Sequence, residues 1–277
     1  MTYVVHGATG AQGGPVVTSL ATKGVLITAL TRRTDADVAC ARTLAVDLDS
    51  IEQLTDAYRG SEGVFVHLPV VDAATRNTYA GNIITALREA RPQRVVYSTS
   101  GFPADADPMA AALADSGLSY AVIAPRYYLE NLLLPHVQEG IRSKGVLRYP
   151  LPTDFASSWG SHLDIADATL ALFEQRDVTG VVEVGQSPAV TGKDLAEAFA
   201  AAYGRDVVYE LQTPADFAVR LAPLMGADAA AVVQNGYEQI VALPDNAIDP
   251  ERSAQRLLGL TPRTTLQWLI DLGLHQA

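Results

Sequence analysis

Near-continuous runs of apolar and β-branched residues recur along the first half of the chain, at positions 3–6, 25–30, 43–48, 63–68, 94–99 and 120–124. Strands that are buried on both faces of a parallel sheet read this way, whereas half-exposed strands alternate. Between the runs, apolar residues return at helical spacing. Val16, Val17, Leu20 and Ala21 share one face of 13–23, Ile51, Leu54 and Tyr58 one face of 50–59, and Ile83, Ala86, Leu87 and Ala90 one face of 72–91. Pro15 suits a first helical turn, Gly24 a helix stop and Ser50 an N-cap. Strand–helix–strand repeated this often predicts a doubly wound parallel sheet, an α/β Rossmann-type fold.

The rhythm changes after Pro125. The pattern predicts helix over 126–142, a short strand near 147–150, helix over 162–175 and a strand over 180–185. A helix capped by Thr191 follows to 203, then a strand over 207–211, Ala-rich helix over 214–242 and a final helix over 264–272. The division expected is a nucleotide-binding domain over 1–150 and a smaller C-terminal α/β lobe over 151–277, parts of which return to complete the sheet. Apolar positions in 214–242 suit core packing or a lid over an apolar pocket.

The stretch Gly7-Ala8-Thr9-Gly10-Ala11-Gln12-Gly13-Gly14 joins the first strand to the first helix. Glycines at 7, 10 and 13 let the chain turn sharply and approach a pyrophosphate without a Cβ in the way. The helix behind them opens with free N–H groups facing the phosphates. The spacing alone is a weak signal; its place between a strand and a helix makes it a dinucleotide-binding turn. Candidate contacts there are Gly7, Thr9, Gly10, Ala11, Gln12 and Gly13.

The residue after the second strand selects the coenzyme. An acid there holds the ribose 2′-hydroxyl of NAD. This chain has Thr31-Arg32-Arg33-Thr34, and guanidinium groups suit the 2′-phosphate of NADP. Arg32, nearer the strand end, is the stronger candidate, while Asp35 and Asp37 sit close by. Asp47 and Leu48 end the third run and border the expected adenine position, where Asp47 is equally suited to capping the next helix. His67, Leu68 and Pro69 end the fourth run as a wall beside the ribose and pyrophosphate. Thr99 ends the fifth.

Several stretches together resemble the NmrA-like branch of the atypical short-chain dehydrogenase/reductases. They are the glycine turn, Thr31-Arg32, Val96-Tyr97-Ser98-Thr99-Ser100, Ser116-Gly117-Leu118, the run Pro125-Arg126-Tyr127-Tyr128-Leu129-Glu130-Asn131-Leu132, Leu163-Asp164-Ile165-Ala166 and Gly204-Arg205-Asp206-Val207. The resemblance covers almost the whole chain. It implies a Rossmann fold, NADP, and either quinone- or dye-reductase chemistry or regulation through NADP binding without turnover and with a protein partner. A redox-neutral isomerase or cyclase, with the bound nucleotide as a structural wall, is a third alternative beside what the resemblance implies.

The Tyr-x-x-x-Lys couple of most short-chain reductases is missing. The lysines are Lys23, Lys144 and Lys193, and none follows a tyrosine by four positions. Alanine also stands at 124, where the branch often has arginine. Candidate proton donors are then Ser100 at the fifth strand end, with Thr99 beside it, and Tyr127 and Tyr128 after the sixth. The expected acceptor is small and apolar or aromatic: a quinone, an imine or a conjugated alkene or carbonyl.

Charge narrows the partners. A formal net charge of -11 over 277 residues disfavours direct contact with nucleic acid and anionic membranes. The single cysteine, Cys40, forbids an internal disulfide and fits a reducing compartment. No basic n-region and apolar h-region open the chain, and no run approaches the ~20 apolar residues of a membrane span, so a cytoplasmic address is expected. His162 and Asp164 lack a third ligand nearby, so no metal is expected. No G-x-S-x-G elbow is present.

Overall fold

The structure is a computed structural model and describes residues 1–101 and 103–275. Through Pro125, the described residues form six strands and four α-helices: β1 (Thr2–Val5), α1 (Gly13–Thr22), β2 (Leu26–Thr31), β3 (Arg42–Ala45), α2 (Ile51–Tyr58), β4 (Gly63–His67), α3 (Ala73–Ala90), β5 (Arg94–Ser98), α4 (Pro108–Ala114) and β6 (Tyr120–Pro125). The continuous apolar runs are the central strands, and every residue of β5 is buried. Ser50, Asp72 and Asp107 cap α2, α3 and α4 by accepting backbone N–H groups of the first turn. Among the described residues, α1 has no capping side chain and no acid in its first turn.

Beyond Pro125 follow β7 (Tyr127–Tyr128), α5 (Pro135–Lys144), β8 (Val146–Tyr149), β9 (Trp159–Gly160), α6 (His162–Glu174), β10 (Gly180–Val184), α7 (Gly192–Tyr203), β11 (Val208–Leu211), α8 (Pro214–Met225), α9 (Ala227–Ile240), α10 (Ala254–Leu258) and α11 (Thr265–Asp271). The helix expected over 126–142 is instead β7, a 3-10 turn over Leu129–Leu133, and α5. Pro135 is the reason. A residue before proline is pushed out of the helical region, and Leu134 sits at φ -53°, ψ 136°. The helix expected over 214–242 is broken at Gly226, whose φ of +88° and ψ of 157° end α8 and start α9. The third strand stops at Ala45, two residues short of Asp47.

The chain divides into two compact units. One comprises 1–125, 162–184 and 251–260; the other comprises 126–161, 185–250 and 261 onward. The expected boundary at 150 thus falls inside the second unit, while α6, β10 and α10 return to the first.

In the first unit all seven strands run parallel in the order β10-β6-β5-β4-β1-β2-β3. The order reverses between β1 and β4, and open α/β sheets bind ligands at that reversal, beyond the carboxyl ends of the strands. Leu54, Tyr58, Ile83, Leu87, Met109 and Leu113 bring α2, α3 and α4 onto one face of the sheet. On the other, α6 stacks Phe173 on Tyr3, with ring centroids 4.8 Å apart. Arg94, fully buried, donates to the carbonyls of Leu172 (3.0 Å), Tyr120 (3.0 Å) and Val178, so it fastens the segment that leads from α6 to β10.

The second unit is built around aromatic residues. Tyr127, Tyr149, Trp159, Phe217 and Tyr237 are all buried and in mutual ring contact. The strand pairs β7–β9 and β8–β11 flank them. Phe217 on α8 and Tyr237 on α9 belong to this core, whereas Val219, Leu224, Met225 and Val232 of the same helices are exposed. No helix among the described residues is long and apolar enough to cross a membrane.

Candidate dinucleotide site

The glycine turn leaves β1 at the sheet's reversal point. His6 N–H still bonds Phe65 of β4 (3.0 Å) and Ala8 N–H bonds Leu30 of β2 (3.1 Å), so the neighbouring strands hold the turn on both sides. Gly7 has φ +57°, in the left-handed region that costs an L side chain about 1–2 kcal/mol. Gly10 N–H closes back on Gly7 C=O at 2.7 Å. A Cβ on Gly13 would lie 2.4 Å from Gly7 O and 2.5 Å from His6 O, so α1 can begin this close to the turn only with glycine there. Thr9, Gly10 and Ala11 form an exposed crest, while Ala8, Gln12 and Gly13 are buried beneath it. The crest stands at the uncapped, acid-free start of α1, where amide dipoles favour an anion.

His67 closes the reversal point from the β4 side. Its Nε2 would lie 2.2 Å from a Cβ on Gly7. That nitrogen is buried without a hydrogen-bond partner, as is the Oγ1 of Thr99 one strand over. Burial first, and then the nearby His162 and Arg76, lower the His67 pKa to about 4, against a backbone hydrogen bond at Leu68 that raises it. His67 is therefore neutral at pH 7. Leu68 is buried and Pro69 half-buried behind it.

Arg32 and Arg33 are both exposed after β2, yet they differ. Arg33 forms a two-pronged pair with Asp35, through Nε and Nη2 at 3.1 Å each. Arg32 makes no ion pair among the described residues, so its guanidinium is available to an incoming phosphate. Asp47 lies past the end of β3 and is exposed. Its Oδ1 accepts Asp49 N–H and its own N–H donates to Gln53 Oε1, both at 3.0 Å, which makes it a turn residue ahead of α2. Leu48 accepts from Asn82 Nδ2 at 3.0 Å.

At the end of β5, Ser98 Oγ donates to Gln12 Oε1 at 2.8 Å and Gln12 Nε2 donates to Ser100 Oγ at 3.0 Å. Ser100 has φ +59° without being glycine. The structure thus joins the phosphate turn to Ser100 through a side chain that the sequence places 88 positions away. Behind it Tyr97, Arg76 and Asp107 form a buried triad, with Arg76 Nη2 2.8 Å from both Tyr97 Oη and Asp107 Oδ2. Sequence reasoning found neither set.

Tyr127 and Tyr128 belong to the second unit. The Tyr127 ring lies 5.0 Å from Trp159 and 5.8 Å from Tyr237, and Asn246 faces its hydroxyl. Burial, then Tyr149, pushes its pKa far up, so the phenol keeps its proton. Tyr128 is half-buried. No group of three or more His, Cys, Asp or Glu among the described residues is arranged to hold a metal ion.

The NmrA-like family profile matches residues 1–253. The chain belongs to the NmrA-like family. The family named by the glycine turn and by the stretch around Tyr127 is thus the family found. No curated protein sequence is similar enough to match.

Solved structures carry the NmrA-like fold further. An NADPH-dependent quinone oxidoreductase of Escherichia coli, complexed with NADPH, is 24% identical over 99% of this chain and 100% of its own, with a TM-score of 0.75. A triphenylmethane reductase of Citrobacter sp., complexed with NADP(H), is 19% identical over 96% of this chain and 98% of its own, with a TM-score of 0.76. NmrA, a negative transcriptional regulator, is 15% identical over 87% of this chain and 94% of its own, with a TM-score of 0.66. Identities this low establish a common fold.

Proposed function

We propose that this NmrA-like protein binds NADP(H) at the glycine turn and reduces a small apolar or aromatic acceptor, such as a quinone, an imine or a conjugated alkene or carbonyl. The observation that carries the reading is the arrangement at the sheet's reversal point. Two glycine positions have no room for a Cβ, an uncapped helix start stands behind an exposed backbone crest, and two buried polar atoms, His67 Nε2 and Thr99 Oγ1, lack partners. A polar atom buried unpaired costs about 1–3 kcal/mol, and a ligand that pairs it recovers that cost.

The residues fit a dinucleotide with a third phosphate. Backbone N–H groups of 9–13 would hold the pyrophosphate, with Arg32 on the ribose 2′-phosphate in place of the acid that NAD binders carry. Asp47 and Leu48 would border the base, and His67, Leu68, Pro69 and Thr99 the pyrophosphate and second ribose. When bound, the coenzyme supplies a hydride.

The chain's own part is to fix the geometry, exclude water and provide a hydrogen-bond donor to the oxygen or nitrogen that gains electron density. Ser100 is the donor we favour, because it lies two residues past β5 and is hydrogen-bonded to Gln12 of the phosphate turn. Tyr127 is not favoured as the donor, since its buried phenol holds its proton too firmly to be an acid. Acceptors whose reduced form takes its proton from water suit a chain without Tyr-x-x-x-Lys.

That missing couple also favours a second reading, in which the protein senses NADP(H) and acts on a protein partner without turnover. One experiment separates them: NADPH oxidation against a panel of quinones, triarylmethane dyes and enones, alongside NADPH and NADH titrations. Oxidation by at least one class supports the reductase. Tight NADPH binding with no oxidation across the panel supports the sensor.

A further inference from the structure

Gln12, Ser98 and Ser100 close a ring of hydrogen bonds across the site. Ser98 Oγ donates to Gln12 Oε1 (2.8 Å), Gln12 Nε2 donates to Ser100 Oγ (3.0 Å), and Ser100 N–H returns to Ser98 Oγ (3.4 Å). The direction around the ring follows from burial. Ser98 is completely buried and Ser100 is half-buried. A serine hydroxyl has one hydrogen to give. If the Gln12 amide faced the other way, Ser98 would be left with a hydroxyl hydrogen buried and unpaired, which costs about 1–3 kcal/mol. The arrangement present leaves the spare hydrogen on Ser100, the partly exposed member.

We infer that Gln12 is a positioning residue which fixes the Ser100 hydroxyl as an outward-pointing hydrogen-bond donor, and so couples the phosphate turn to the end of β5. As the residue immediately before α1, Gln12 moves with the amides that would hold the pyrophosphate. Its side chain crosses to β5 and spends a donor on Ser100, so that Ser100 accepts from the protein and donates away from it. The backbone agrees. Ser100 is held at φ +59°, a conformation that costs an L residue about 1–2 kcal/mol and persists only where surrounding bonds impose it. An acceptor recognised by such a donor carries a carbonyl-type oxygen or an imine nitrogen, rather than an amine or hydroxyl hydrogen.

The inference rests on the proposed reductase reading for its kinetic consequence but not for its structural one, and the test has two arms. In the first, Gln12→Met, Ser100→Ala and the double variant are compared with the parent at saturating NADPH, with a quinone as acceptor. Each single change is expected to lower kcat about 100- to 1,000-fold, the range for one lost transition-state donor, with the NADPH Kd within about threefold. The double variant should be no slower than the slower single one, because both changes remove the same donor.

In the second arm, amide hydrogen exchange over 98–101 is followed in the coenzyme-free protein. Gln12→Met should speed it about fivefold or more while leaving the rest of the sheet unchanged. Losses in kcat that multiply in the double variant, or exchange over 98–101 that Gln12→Met does not alter, overturn the inference. If no acceptor is turned over at all, the reductase reading falls and the exchange arm alone decides the coupling.

Discussion

The Nε2 of His67 stands 2.2 Å from where a Cβ on Gly7 would be, so the imidazole and the glycine occupy one site between them. β1 and β4 part there, and the ring fills what the missing side chain leaves. A Gly7→Ala change is strained twice, by its φ of +57° and by the imidazole. It should destabilise the protein by about 2–4 kcal/mol in urea denaturation and abolish NADPH binding. Adding His67→Ala should restore about half of the stability, because only the steric part is relieved. Full additivity of the two changes would contradict the packing described.

Arg32 and Arg33 should separate in binding. Arg32→Ala is expected to weaken NADPH binding by about 1.5–3 kcal/mol, roughly 10- to 150-fold, while NADH changes little. Arg33→Ala should weaken NADPH by less than about fivefold, because its guanidinium is already held in a two-pronged pair by Asp35, whose negative charge also opposes a phosphate there. Fluorescence titrations of both variants with both coenzymes check this.

Stability should fall as the solution is acidified below the ordinary histidine range. Burial, with the nearby His67, lowers the pKa of His6 to about 3, and His67 itself is lowered to about 4. Both are held neutral in the native state and take up protons on unfolding. Their contribution is complete above about pH 6.5 and is lost as pH drops toward the folded values, at up to about 1.4 kcal/mol per pH unit for each. Urea midpoints from pH 7 to pH 4.5 measure the slope. In a His6→Gln variant, which keeps a group able to reach Tyr58, the slope should be about halved.

Arg94→Met should be among the most damaging changes remote from the site. It leaves buried carbonyls of Leu172, Tyr120 and Val178 without their donor. A loss of about 3 kcal/mol or more is expected by urea denaturation. A loss under about 1 kcal/mol would mean that water replaces the guanidinium.

Ser100→Gly should divide stability from function. Glycine suits a φ of +59° but leaves the buried Gln12 amide without its acceptor, so the two effects offset and the melting temperature should change little. Turnover should fall because the hydroxyl is gone. A folded variant with undiminished turnover would remove Ser100 from the chemistry.

The sheet was legible in the sequence because strands buried on both faces cannot hide their composition. β1, β4, β5 and β6 are near-unbroken apolar runs, and Ser50 marks one helix start between them. The glycine turn was legible for the same kind of reason, since only bare backbone suits a close approach. The second half was harder. Apolar spacing alone does not show that Leu134 must leave the helical region before Pro135, or that α8 and α9 part at Gly226. The Gln12–Ser98–Ser100 ring and the Arg76–Tyr97–Asp107 triad were invisible. Their members are polar residues that meet only after the sheet forms, and no periodicity records such a meeting.

Isothermal titration calorimetry of the purified protein with NADPH and with NADH tests the central claim most directly. Saturable heat from both is expected, with NADPH the tighter by about tenfold or more, the value of one charge-assisted phosphate contact. Absence of heat from either coenzyme, or tighter binding of NADH, would contradict it.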